Sequence, residues 1–233
     1  MKNGVRIIAA STVAAAALFA ASCASVNHLD GYDFSGATLS SETARVSEPR
    51  IDVGYHIGHH RHDDVIGTTL GVLTNIALAT QADHAERTMR DALDEVDVPS
   101  IVEREALRSC ARALGAEARD RERHPDFTLS LEIEDWGITA VSGVAVTLRM
   151  HVTASLYHAI DGLVWRRTVD VDQAASSEMF GLPGIVGTMV TTNQLYEMTQ
   201  DDMEKGFTEL ARHVARRTSR ALEDDLDAAR RDW

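Results

Sequence analysis

Apolar and polar residues alternate over three stretches in the middle of the chain, which is the period of a half-buried β-strand. These stretches cover Phe127 to Ile133, Val144 to Leu156 and Leu163 to Val171. Asp161-Gly162 is a strong hairpin signal between the last two, and Gly137 to Gly143 is predicted to be the turn between the first two. Because only one face of this meander is apolar, helices are expected to cover that face.

Apolar residues recur every three or four positions in three other regions, which indicates amphipathic helices. The first region runs from Val65 to Glu95, and the second opens with a predicted capping box at Ser100 to Glu103. Cys110 lies on the apolar face of the second, and Thr199 with Asp202 caps a long third. The predicted fold class is therefore α+β: an antiparallel β-meander of three to four strands, covered on one face by helices, with a long C-terminal helix.

The first 23 residues have the pattern of a bacterial signal peptide. Lys2 and Arg6 precede an uncharged stretch from Ile7 to Ala21, which is too short to span a bilayer because spanning needs about 20 apolar residues. The small residues before Cys23 resemble the lipobox of bacterial lipoproteins, where the signal peptide is cut before a cysteine that carries acyl chains. Ordinary secretory cleavage after Ala20-Ala21-Ser22, leaving a free thiol, is the alternative.

The lipobox resemblance implies a domain organisation and an address. Residues 1–22 are the predicted signal peptide, 23–49 a lipid-anchored flexible tether rich in small and acidic residues, and 50–233 a single periplasmic α+β domain. Several acyl chains, such as palmitate, on Cys23 give stable anchoring. Ala24 follows the cysteine, and the absence of Asp there implies, in a cell with two membranes, the outer membrane, facing the periplasm.

The charge balance excludes one class of partner. The formal net charge is −13 at pH 7, and loss of Lys2 and Arg6 with the signal peptide makes it about −15. Nucleic-acid binding needs clustered Lys and Arg, so nucleic acid is not expected as a partner. The chain has two cysteines, and acylation of Cys23 would leave Cys110 alone, without an internal disulfide.

The middle of the chain resembles a broad type of periplasmic lipoprotein domain. A helix precedes a strand that ends in acidic residues, here Asp126 to Trp136, and a hairpin turn is followed by tryptophan, here Ile160 to Trp165. The curli-secretion lipoprotein, the penicillin-binding-protein activator lipoproteins and the auxiliary lipoproteins of lipid-transport ABC systems are similar. The resemblance implies a non-catalytic accessory role in envelope assembly or transport, with an envelope protein as partner.

A histidine cluster is the sharpest chemical feature of the sequence. Neutral imidazoles and carboxylates bind zinc and copper, and the best candidate ligands are His60, His62 and Asp64, with His56 and His59 beside them. The spacing of the first three resembles the metal motif of metallo-β-lactamase-type hydrolases, which would make the protein a metal-dependent hydrolase. Val65 stands where that family has another histidine. A periplasmic metal-binding protein is therefore the alternative function, and a solvated polar loop is the structural alternative.

Two further groups of residues could be catalytic, but a structural role is favoured for each. Glu132 and Glu134 are a possible acid/base pair, but a solvated sheet face is favoured because one strand offers no cleft. Cys110 is expected in the core. No hydrolase, phosphate-loop or dinucleotide motif is present, so neither an enzyme nor a cofactor is expected.

An uncharged segment is a candidate partner or lipid surface, and the alternative is that it packs on the sheet. Its candidate residues are Phe180, Leu182, Ile185, Val186 and Met189.

Overall fold

A computed structural model describes residues 26–54, 83–120, 123–141, 145–182 and 189–231. The strands are β1 (Val26–Asn27), β2 (Thr38–Val46), β3 (Arg50–Gly54), β4 (Glu117–Ala118), β5 (Phe127–Val141), β6 (Thr147–His158) and β7 (Gly162–Ala174). The helices are α1 (residues 83–95), α2 (Val98–Leu114), α3 (Thr192–Glu197) and α4 (Gln200–Arg231). A 3₁₀ turn covers Leu29–Gly31.

The strands form one mixed sheet in the order β1-β7-β6-β5-β2-β4, with β3 paired to β5 beyond the end of β2. The antiparallel meander β5-β6-β7 agrees with the prediction, and Gly162 at the hairpin has φ +81°. The prediction of a simple three- to four-stranded meander is wrong, because β2 and β3 pair in parallel with β5 and β4 pairs in parallel with β2. The α+β class and the long C-terminal helix are confirmed.

The described part of the predicted tether belongs to the sheet. Residues 26–46 contribute β1 and β2, and three apolar side chains between residues 29 and 39 lie in the core: Leu29, Phe34 and Leu39. The prediction of a flexible segment over 23–49 is thus wrong from Val26 onward. Strand β2 is held by its ladder with β5 and by the hydrogen bonds that Ser41 and Thr43 donate to Glu103 of α2.

The sequence pattern predicted that β5 ends before Gly137, but the strand continues through Gly137 to Val141. A β-bulge between Ile133 and Asp135 inserts Glu134 and shifts the alternation by one residue, so that Trp136 and Ile138 again face the core. Gly137 has φ +147° and lies against the backbone of β3. Residues 137–141 of the predicted turn therefore belong to β5, and residues 142 and 143 lie outside the described residues.

Both long helices pack on the apolar face of the sheet. Helix α2 begins after Asp97, whose side chain accepts from the backbone N–H of Ser100 at 3.1 Å, so the predicted capping box at Ser100 is wrong and Asp97 is the cap. The prediction that Cys110 lies in the core is confirmed. Five residues of the stripe predicted along α4 are buried, namely Met203, Phe207, Leu210, Val214 and Leu222, and the sixth, Ala221, is partly buried.

Thr199 and Asp202 form the predicted cap of α4, since the Asp202 carboxylate accepts from Thr199 N–H at 3.1 Å and Thr199 Oγ1 accepts from Asp202 N–H at 3.3 Å. The hydrogen bonds with Thr199 lower the pKa of Asp202 below its usual value. Within the described ranges, no helix combines the length and the apolar character needed to cross a bilayer.

Candidate functional site

The face of the sheet that points away from α2 and α4 is polar along β5, β6 and β7. Strand alternation places its side chains in cross-strand rows, because residues directly opposite each other project to the same face. We call this surface the open face. Its principal residues are Glu132, Glu134, Asp135, Arg149, His151, Thr153, Ser155, Arg166, Thr168, Asp170 and Asp172.

His151 bridges two carboxylates at the centre of the open face. It lies opposite Asp170 in β7, and its Nδ1 makes a short contact with the Asp170 carboxylate. Its Nε2 lies 3.2 Å from Glu134 Oε2. Asp135 is the residue of β5 that pairs with His151, and the bulge places the Glu134 side chain next to this pair. Each ring nitrogen of His151 thus faces the carboxylate of a different strand, Asp170 in β7 and Glu134 in β5.

Arginines from two strands converge on the neighbouring carboxylate. Asp135 lies 3.2 Å from the Arg149 guanidinium and 3.7 Å from Arg50 Nε, which links β3, β5 and β6. With His151, Asp170 and other residues, Asp135 and Arg149 line a shallow depression of about 540 Å³. The depression offers carboxylate acceptors and cationic donors together, which suits a polar partner better than an apolar ligand.

Hydroxyl groups occupy the rows on the hairpin side of His151. Thr153 Oγ1 and Thr168 Oγ1 are 3.1 Å apart. Arg166 donates from Nε to Ser155 Oγ at 3.1 Å and from Nη2 to Tyr157 OH at 3.4 Å. These cross-strand bonds hold the side chains in place, so this part of the open face is preorganised.

A second polar cluster, at the hairpin end, has a structural role. The Asp161 carboxylate accepts from Tyr32 OH at 3.1 Å and lies 2.8 Å from His158 Nδ1. Burial, followed by this hydrogen bond, raises the pKa of Tyr32 above its usual value. The Tyr32, Phe127 and His158 rings pack together with centroids 5.0 to 5.7 Å apart. The cluster fastens the N-terminal segment to the hairpin.

Most of the predicted site residues do not meet on the open face. Cys23 and the histidine cluster, residues 56–64, lie outside the described residues, as do Ile185 and Val186. Phe180 is 1% exposed, so it is a core residue and its assignment to a partner surface is wrong. Leu182 is half-buried and Met189 is 59% exposed.

Sequence reasoning identified Glu132 and Glu134 and missed their real neighbours. Glu132 lies opposite Thr153, whereas Glu134 contacts His151, so the two glutamates do not act on one group. His151 and Asp170 occupy polar positions of adjacent strands, but their pairing depends on a second bulge after Leu156. In the described part of the chain, no three His, Cys, Asp or Glu side chains are arranged to hold a metal ion.

The sequence matches no protein-family model and no curated protein significantly. Among solved structures, the chain is similar to the PelC dodecamer from Paraburkholderia phytofirmans, with 11% identity, TM-score 0.37, and coverage of 87% of this chain and 93% of that one. It is also similar to a Xanthomonas campestris protein of the DUF330 family, with 15% identity, TM-score 0.36, and coverage of 86% and 89%. TM-scores below 0.5 establish neither a shared fold nor a shared function.

Proposed function

We propose that the protein is a lipid-anchored, non-catalytic accessory module of the cell envelope that binds a partner protein through the open face. The observation that carries the proposal is the bridge from Glu134 through His151 to Asp170, fixed on a sheet face opposite the helices. Charged groups held in place before binding lose little conformational entropy when a partner docks. Their charges favour a partner with a complementary polar surface.

The anchor part of the proposal depends on Cys23. Cleavage before Cys23 would leave three residue steps between the acylated residue and Val26, which pairs with Arg166 of β7. Asn27 Nδ2 also donates to the Asp225 carbonyl of α4 at 3.0 Å. A domain fastened this close to its own anchor would work at the membrane surface. The expected address is the outer membrane, facing the periplasm.

Membrane fractionation tests the anchor. We expect the native chain to sediment with outer membranes and the Cys23→Ala variant to appear in the soluble fraction. Cys110→Ala is the matched control, because it removes the buried cysteine and leaves the lipid site intact. Unchanged sedimentation of Cys23→Ala would contradict lipid anchoring but would leave the partner surface open to its own test.

Photocrosslinking in intact cells tests the partner surface. A photoreactive amino acid at Thr168 lies on the open face, and one at Arg217 lies on the exposed side of α4. We expect a dominant adduct of defined mass from position 168, weakened by Asp170→Ala, and none of that mass from position 217. Equal adducts from both positions, or none from position 168, would rule out the open face as the docking surface.

The alternative function is periplasmic metal binding by the histidine cluster. Its support is sequence density, with His56, His59, His60, His62 and Asp64 within nine residues. Equilibrium dialysis of the full mature chain against zinc or copper tests it. Stoichiometric binding that disappears when His60 and His62 are changed to alanine is the expected result if this function holds.

A further inference from the structure

Strand β2 extends well past its neighbour at the edge of the sheet. It runs from Thr38 to Val46, whereas β4 pairs only with Thr38 and Leu39. Beyond Leu39, the described residues place no strand on that side of β2. Val46, 44% exposed, is one of three large exposed apolar residues in the described part of the chain, and it lies at the end of this edge.

The direction of the free main-chain groups follows from the existing hydrogen bonds. Ala37 and Leu39 carbonyls accept from Glu117 and Arg119 N–H at 2.8 Å each, so odd-numbered residues of β2 turn their backbone groups toward β4. In a parallel ladder both groups of one residue point to the same side. The N–H and C=O groups of Ser41 and Thr43 therefore point past the end of β4, where they can pair with an added strand.

A groove lies beside this edge, between β2 and α2. It has a volume of about 360 Å³ and is lined by Ser41, by Leu107 and by the exposed Arg104 and Arg108 one turn apart on α2. Ala118 and Asp120 line it where β4 ends. A groove between an open strand edge and a helix fits an extended peptide, which adds to the edge with its main chain and fills the groove with alternate side chains.

The charges in the groove favour a carboxylate. Glu103 is already engaged, since it accepts from Ser41 Oγ at 3.2 Å and Thr43 Oγ1 at 2.6 Å. Among the described residues, Arg104 forms no ion pair within 4 Å, and Arg108 pairs only with Glu105, at 3.5 Å. Both guanidinium groups thus retain donors for a carboxylate, while Asp120 disfavours one close to β4.

From these relationships we propose that the free edge of β2 binds an extended segment of a partner protein by strand addition. A carboxylate of that segment, from an acidic side chain or from a C-terminus, pairs with Arg104 and Arg108. The edge that receives the segment is the one away from β5 and the meander, so it is a second surface and does not depend on the open face.

A random dodecapeptide display library, selected against the mature chain carrying Cys23→Ala, tests the proposal. Counter-selection uses the same chain with Arg104→Glu and Arg108→Glu, both at exposed positions. We expect proline-poor peptides with a carboxylate, bound about tenfold more weakly by the charge-reversed chain. C-terminal amidation then separates the two sources of carboxylate: it weakens C-terminal binders and leaves acidic side-chain binders unchanged.

Synthetic peptides methylated at alternate backbone nitrogens provide a test that leaves the protein unaltered. Methylation that blocks the N–H groups facing β2 should abolish binding, and the bound unmethylated peptide should protect the Ser41 and Thr43 amides from hydrogen exchange. Equal binding of both methylated forms would overturn the proposal. So would a library that yields no peptide preferring the native arginines.

Discussion

Phe180 lies against the backbone of Gly206: a methyl group on Gly206 would come within 2.3 Å of the Phe180 ring. This contact explains why Phe180 is buried and not available on a partner surface. A glycine in α4 opens the space that the ring fills, and the turn at residues 176–181 is thereby held on the helix.

We expect Gly206→Ala to destabilise the protein by up to about 2 kcal/mol. Overpacking costs about 1–3 kcal/mol, and the better helix propensity of alanine offsets about 1 kcal/mol of that. Urea denaturation measures the change. Gly31→Ala is the control, because a Cβ at Gly31 meets nothing within 4 Å. A Gly206→Ala protein as stable as the control would mean that the Phe180 ring moves aside freely.

Gly137→Ala should be more damaging, with a loss of at least about 3 kcal/mol. A Cβ there would lie 1.9 Å from the Arg50 carbonyl oxygen, and φ is +147°. Since the obstacle is backbone, β3 must separate from β5, which hydrogen exchange of the β3 amides would reveal. Gly36→Ala, with φ +76° and nothing within 4 Å, measures the conformational strain alone. If Gly137→Ala and Gly36→Ala lose similar amounts of stability, the clash with the Arg50 carbonyl is not the cause of the loss.

Thr218→Val should stabilise the protein by about 1 kcal/mol. Thr218 is fully buried in α4, and its hydroxyl has no hydrogen-bond partner in the described part of the chain. An unsatisfied buried hydroxyl costs about 1–3 kcal/mol, and valine has the same shape without it. Thr218→Ser keeps the hydroxyl and removes the methyl group, so it should destabilise. Thermal unfolding measures both changes. If Thr218→Val proves less stable than the native protein, the hydroxyl must have a hydrogen-bond partner.

Complete burial raises the pKa of the Cys110 thiol to about 12, from an ordinary value of 9.0. The folded protein therefore favours the neutral thiol, and the resulting stability is complete below about pH 9 and falls as the pH rises toward about 12. The difference in unfolding free energy between the native protein and Cys110→Ala should therefore be constant up to about pH 8.5 and shrink between about pH 9 and pH 10.5. The Cys23→Ala chain should also resist maleimide at about pH 7.5 until urea is added. Rapid labelling in the absence of urea would contradict burial of Cys110.

The meander could be predicted because its information is local. The alternation along β5 to β7 and the Asp161-Gly162 turn are sufficient to set strands and hairpin. Strand β2 could not be predicted in the same way, since its contacts are distant: Leu39 packs in the core, and Ser41 and Thr43 donate to Glu103, which lies 62 and 60 residues further along the chain. Polar strands stabilised by a remote helix have no clear pattern of their own.

The central bridge of the open face could not be predicted from the sequence because it depends on two bulges. Counting back from the hairpin, where His158 pairs with Gly162, would pair His151 with Val169, and the shift after Leu156 moves it to Asp170. The other bulge places Glu134 beside the same ring. An extra residue in each of two strands thus decides which charges meet, and neither bulge has a distinctive residue type.

The pairing of Val26 with β7 limits where the protein can act if Cys23 carries the lipid. Three extended residues span at most about 10 Å, so the first strand would begin within about 10 Å of the acylated residue. The domain would be unable to travel across the periplasm or to sweep a wide area around its anchor. Any partner would therefore have to meet the domain close to the membrane, either by diffusing in the bilayer or by approaching its surface from the periplasm.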